Sequence, residues 1–213
     1  METTEQIKND IVHLPRFIEQ VLCAESWIVN SQQLLKTASE FEKDLNILWG
    51  PTSNYKKRNE NQPSLGFVQG IYFMLIAYAI ENMCKAVIIN KNKSKLKSEI
   101  TKKKKLPDSL NTHNLVNLVR DKLEMKISED EEELLMRLER NAIWAARYPV
   151  PISCKDINAN KRLSTGQNMF LSYFHCDDIK RIKKLIDKID NHSSDIVKHD
   201  KTRHYDRKEV RKP

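Results

Sequence analysis

Residues 67–89 (FVQGIYFMLIAYAIENMCKAVII) are the most apolar segment of the chain, and the first half of that run has no polar face. A helix that is apolar all round has to be surrounded by other elements. Alternation with the period of a strand persists nowhere along the sequence. Together these features predict an all-α helical bundle with residues 67–89 at its centre. A composition with only 4 Gly and 7 Pro in 213 residues favours helix throughout. The uninterrupted apolar stretch 71–80 is about half of a bilayer span, and the N-terminal METTEQIKND lacks the layout of a signal peptide. The expectation is a cytoplasmic protein with no membrane partner.

The flanking segments supply the rest of the bundle. Phe17, Val21, Ala24, Ile28, Leu35, Ala38, Phe41, Leu45 and Leu48 recur at helical steps, which predicts one long or broken amphipathic helix opened by Pro15 and stopped by Gly50-Pro51. Leu110, Leu115, Leu118, Val119 and Leu123 mark a short helix. Ser128 followed by Glu131 is a capping-box pattern, and Leu134, Leu135, Leu138, Ala142 and Ala145 line one face of the helix it opens. Ile179, Ile182, Leu185, Ile186 and Ile189 mark a last helix beginning near Asp177 or Asp178. Residues 152–174 read as irregular. The chain therefore reads as a single domain over residues 1–190 with a basic, disordered tail over 191–213.

The net charge of +8 is unevenly spread. Residues 91–105 (KNKSKLKSEITKKKK) carry a net +7 and residues 198–213 a net +4, leaving a mildly acidic body. The first of these stretches reads as a basic loop after the central helix, with Lys102, Lys103, Lys104 and Lys105 as candidate phosphate contacts. Taken alone, the stretch reads first as a solvated loop that aids solubility. Cys23, Cys84, Cys154 and Cys176 lie far apart with no metal-ligand spacing, so neither a disulfide framework nor a metal site is expected. No cofactor-binding motif is present.

Three clusters carry polar chemistry. Glu81, Asn82 and Lys85 emerge inside the apolar central helix, and Glu81 and Lys85 stand four apart in the favourable order for an ion pair. They read as a structural polar pair or as the lining of a ligand pocket. In RNAIWAARYPVP, Arg140 and Arg147 stand seven apart on one helix side, with Trp144 and Tyr148 as an aromatic pair on the other border. Two arginines beside aromatics can grip phosphate and stack bases, or they can cap the helix end and pin the proline loop. His113, in NTHNL, is a candidate general base, though a histidine beside a helix start commonly makes only a local hydrogen bond.

Taken together, YFMLIAYAIENMCKAVIINKN, THNLVNLV and LLMRLERNAIWAARYPVP resemble the HEPN family over about residues 67–151. The resemblance implies a helical bundle built on an antiparallel helix pair, a homodimer, and a toxin–antitoxin or phage-defence setting. HEPN ribonucleases carry an Arg, often followed by a polar residue, and a His separated from the Arg by four to six residues. Arg140-Asn141 matches the beginning of that motif, but the histidine positions hold Ala145, Ala146 and Arg147. The chain is thus similar to HEPN proteins of the RYP type, which lack the full motif. Losing such a proton-transfer group typically costs about 10²–10⁴-fold in rate, and an Arg does not replace it as a base near neutral pH.

Three readings follow. The first is a catalytically silent module binding nucleic acid, a nucleotide or a partner protein. The second is a divergent metal-independent endoribonuclease using Arg140, Asn141 and a relocated His113. The third is a helical protein-interaction scaffold whose lysines are only a soluble spacer.

Overall fold

A computed structural model describes residues 4–49, 65–145, 160–162, 164, 166, 168–170 and 174–205. It is an all-α fold organised around one helix, α4 (Leu65–Lys103), which packs against nearly every other element. Before it come α1 (Thr4–Val21), α2 (Ala24–Glu40) and α3 (Glu42–Leu48). After it come a π-helical turn (Asn117–Lys122), α5 (Glu129–Arg140), a second π-helical turn (Asn141–Ala145) and α6 (Asp178–Tyr205). Two three-residue strands, β1 (Asn160–Arg162) and β2 (Asn168–Phe170), pair antiparallel with Lys161 opposite Met169.

The apolar periodicity explains the centre. Phe73, Ala77, Ile80, Cys84 and Ile89 are fully buried along α4, and each large side chain among them is worth about 1.5–3 kcal/mol by burial alone. By length and hydropathy α4 could cross a membrane, but 72% of its apolar window is buried inside the fold. Its most extensive partner is α2, and the pairing is antiparallel. Trp27 lies against Lys85, Asn30 bonds Asn82, Ser31 bonds the Ala79 carbonyl at 2.9 Å, and beyond α2 Glu42 meets Tyr72.

Two sequence expectations are corrected. Pro15 does not open α1 but lies inside it. An interior proline costs roughly 3 kcal/mol of helix stability, which the packing of Leu14, Phe17 and Ile18 on the core offsets. Residues 91–103 are not a loop: α4 bends at Asn92, whose amide donates to the Ile88 carbonyl at 3.1 Å, and continues to Lys103. The physical reason is Ile89, Leu96 and Ile100, which share one helix face and are all buried. Lys104, in the left-handed region, ends the helix by donating to the Ile100 carbonyl.

The remaining helices are fixed at their ends. Ser128 and Glu131 form the reciprocal capping box, with the Ser128 N–H donating to Glu131 at 2.8 Å and the Glu131 N–H donating to Ser128 at 3.2 Å. Such a cap is worth about 1 kcal/mol. Lys188 on α6 reaches the same Glu131 at 2.8 Å, tying α6 to the start of α5. Past Asn191, α6 continues into the basic segment read above as a tail, as far as Tyr205.

Candidate functional site

Two of the three polar clusters in the sequence meet in one place. Glu81 is buried in α4, and its two carboxylate oxygens face different partners. One lies 2.5 Å from Lys85 Nζ and the other 2.9 Å from His113 Nδ1. Lys85 is only 4% exposed and sits over the Trp27 ring, 5.6 Å from its centroid. That indole is itself fixed by donating to the Val21 carbonyl at 3.0 Å. Burial and the adjacent Glu81 carboxylate push the Cys84 thiol well above its ordinary value, so it is inert.

His113 differs from its partners in being 61% exposed at the side chain. Its loop is held by the following turn, where the Leu115 N–H donates to Glu139 at 3.0 Å and the Asn117 N–H donates to Asn114 at 2.7 Å. Burial raises the Glu139 carboxyl above the usual range, against the Leu115 N–H and the nearby His113 ring, which lower it. An imidazole anchored through one nitrogen by a buried carboxylate is fixed in orientation, the supporting geometry that base and ligand histidines use.

Arg140 and Asn141 lie at the end of α5, half-buried and buried respectively. They are bracketed by Glu139, which holds the His113 loop, and by Ala142, whose carbonyl accepts from Tyr78 Oη at 3.1 Å. The Arg140-Asn141 pair is thus set between residues that contact the elements carrying His113 and Glu81. Trp144 falls in the second π-helical turn, and Arg147 and Tyr148 lie outside the described residues.

A second charged cluster, which the sequence reading missed, is larger. Arg137 is 1% exposed and donates to both oxygens of Asp178, at 2.5 and 2.9 Å, and to Glu133 at 3.0 Å. Arg181 joins it, reaching Asp178 at 2.7 Å and Glu133 at 3.2 Å. The Arg137 guanidinium also lies 4.9 Å from the Phe174 ring, which stacks on Phe73 of α4 at 3.5 Å. Two arginines balance two carboxylates, and the set pins α6 to α5. One signal for it was present: Glu133 and Arg137 stand four apart, beside the apolar Leu134 and Leu138.

Burial raises the Asp178 carboxyl, but the Arg137 hydrogen bonds, the His175 N–H and the charges of Arg137 and Arg181 outweigh it and hold the group below the usual carboxylate range. A carboxyl depressed in the folded state contributes stability above its unfolded value, about 3.9, and loses that contribution as pH falls through its folded value. The native chain should therefore lose stability below about pH 4 more steeply than Asp178→Asn. Urea melts of both at stepped pH measure the difference, and parallel curves would contradict it.

The lysines of 91–105 divide once the segment is helical. Lys103 pairs with Glu99 at 2.8 Å and Asp108 at 3.3 Å, Lys105 meets Asp108 at 3.5 Å, and Lys104 forms the helix end. Lys91, Lys93, Lys95, Lys97 and Lys102 are exposed and have no carboxylate partner among the described residues. His175, Cys176 and Asp177 form a separate exposed group at the start of α6, with His175 Nδ1 3.4 Å from both Cys176 Sγ and Asp177.

These features define an all-α protein with two buried charge clusters and one lysine-rich helix segment. No family model, curated protein or solved structure matches the chain.

Proposed function

We propose that this chain is a HEPN-like helical module of the cytoplasm that binds nucleic acid through its phosphate backbone without cleaving it, working as the homodimer its resemblance implies. The observation that carries this reading is the basic second half of α4. Leu96 and Ile100 dock the helix on the core, so its lysines stand on a fixed scaffold instead of a solvated loop. Five of them have no carboxylate partner among the described residues and remain available to phosphate. Lys95 and Lys102 stand two turns apart on one side, about 10 Å along the axis.

Phosphate contacts of this kind release counterions and make affinity salt-dependent. Single-stranded RNA binding, followed by fluorescence anisotropy, should weaken linearly in log–log form with salt. The expected slope is about −2 to −3.5, from three to five contacts at roughly −0.7 each. Flat affinity between low and physiological salt would remove the lysines from the account.

One observation favours a second reading, a divergent metal-independent endoribonuclease. His113 is exposed yet oriented by the buried Glu81, as a relocated general base would need to be. That reading requires His113 and Arg140 to act on one substrate.

A further inference from the structure

We infer that the five residues Ser94, Lys97, Ser98, Thr101 and Lys102 form a seat for a backbone phosphate of single-stranded RNA. This rests on the nucleic-acid reading above and narrows it to one place on α4. These residues line a shallow depression of about 520 Å³ on the exposed face of the helix. Their spacing of three and four residues stacks them along one side over two turns.

The hydroxyl groups on this face differ in what they bond. A serine or threonine inside a helix commonly returns its hydroxyl to the carbonyl four residues earlier. Thr37 and Thr101 do so in this chain, donating to Gln33 and Lys97 carbonyls at 2.9 and 2.8 Å. Ser94 and Ser98 are exposed and make no such bond among the described residues, so both hydroxyls remain available as donors. Lys97 and Lys102 flank them without carboxylate partners among the described residues, and the nearest acid in sequence, Glu99, is taken by Lys103 at 2.8 Å. The residues around the depression therefore carry two ammoniums and two unbonded hydroxyls at the ends of a largely apolar lining of side-chain stems, and no acid lines it.

That chemistry fits the non-bridging oxygens of a phosphodiester, which accept from Lys and Ser and carry one negative charge. The shape argues for a polymer over a free nucleotide. Small-molecule sites enclose most of their ligand and are lined by apolar and aromatic groups. This depression is open, its apolar lining is limited to lysine stems and the Thr101 methyl, and no aromatic ring is present to stack on a base. A strand can pass across it, with its neighbouring phosphates reaching Lys95 and Lys91 further up the helix. Contacts of this type position a strand without reading its sequence, so binding is expected to be sequence-independent.

The test is anisotropy titration of a labelled single-stranded RNA of mixed sequence, across a range of salt, with the full chain. Lys97→Ala/Lys102→Ala should weaken binding about tenfold or more at low salt, and should flatten the salt slope by about 1.4. Ser94→Ala/Ser98→Ala should weaken binding a few-fold and leave the slope unchanged, because no charge is lost. Lys180→Ala/Lys184→Ala, which removes two exposed lysines of α6, should alter neither. Native protein that binds RNA while the Lys97/Lys102 variant matches it in affinity and slope overturns this seat and spares the nucleic-acid reading. Native protein that does not bind RNA overturns both. Tripolyphosphate bound through Lys97 and Lys102 in a chain that ignores RNA would assign the seat to free phosphate compounds and overturn the RNA assignment.

Discussion

Arg137→Ala should destabilise the fold by about 3–5 kcal/mol, a far larger loss than an ordinary surface substitution causes. The reason is what it leaves behind. Glu133 and Asp178 are each about 1% exposed, and removing the guanidinium leaves two buried carboxylates with only the partly exposed Arg181 to offset them. The substitution also removes the charge lying over Phe174, so the aromatic stack on Phe73 loses one of its supports. Arg137→Lys should recover part of the loss, since an ammonium keeps the charge but cannot match the guanidinium fork that serves two carboxylates. Urea denaturation of the two variants against the native chain measures this. A loss under about 1 kcal/mol in Arg137→Ala would show that the cluster does not hold α6 on α5.

Glu81→Ala should cost about 3–5 kcal/mol by the same logic with the sign reversed, because it strands the ammonium of Lys85 inside the bundle. Lys85 would retain only the Trp27 ring, and a cation–π contact is worth about 0.5–2 kcal/mol. Lys85→Met in the Glu81→Ala background should restore much of the stability, since the buried charge is then gone. That double-mutant cycle separates the pair from its surroundings. A loss under about 0.5 kcal/mol for Glu81→Ala would place the pair in solvent. The same variant unties His113, which is where stability and any proton-transfer role of the imidazole meet.

What the sequence revealed follows a physical rule: short-range patterns are legible and long-range ones are not. The all-α class follows from residues 67–89, where apolar groups all round a helix demand a surrounding bundle. The Ser128–Glu131 capping box and the Glu81–Lys85 spacing are local, and both contacts form. The helix over 91–103 was hidden because its six lysines outweigh, on inspection, the two residues that anchor it, Leu96 and Ile100. The interior position of Pro15 depends on packing partners that composition does not show. Arg137 bonds a residue 41 positions away and His113 one 32 positions away, so neither cluster could be assembled without the fold. Arg147 and Tyr148, half of the basic-aromatic group read from the sequence, lie outside the described residues.

The measurement that bears most directly on the proposed function is incubation of the purified chain with single-stranded RNA in EDTA, scored for both retarded complex and cleavage product. A silent HEPN-like module retards the RNA and leaves it intact. Cleavage that survives EDTA and disappears in both His113→Ala and Arg140→Ala would contradict it, and would identify a ribonuclease whose histidine has moved onto the Glu81 carboxylate.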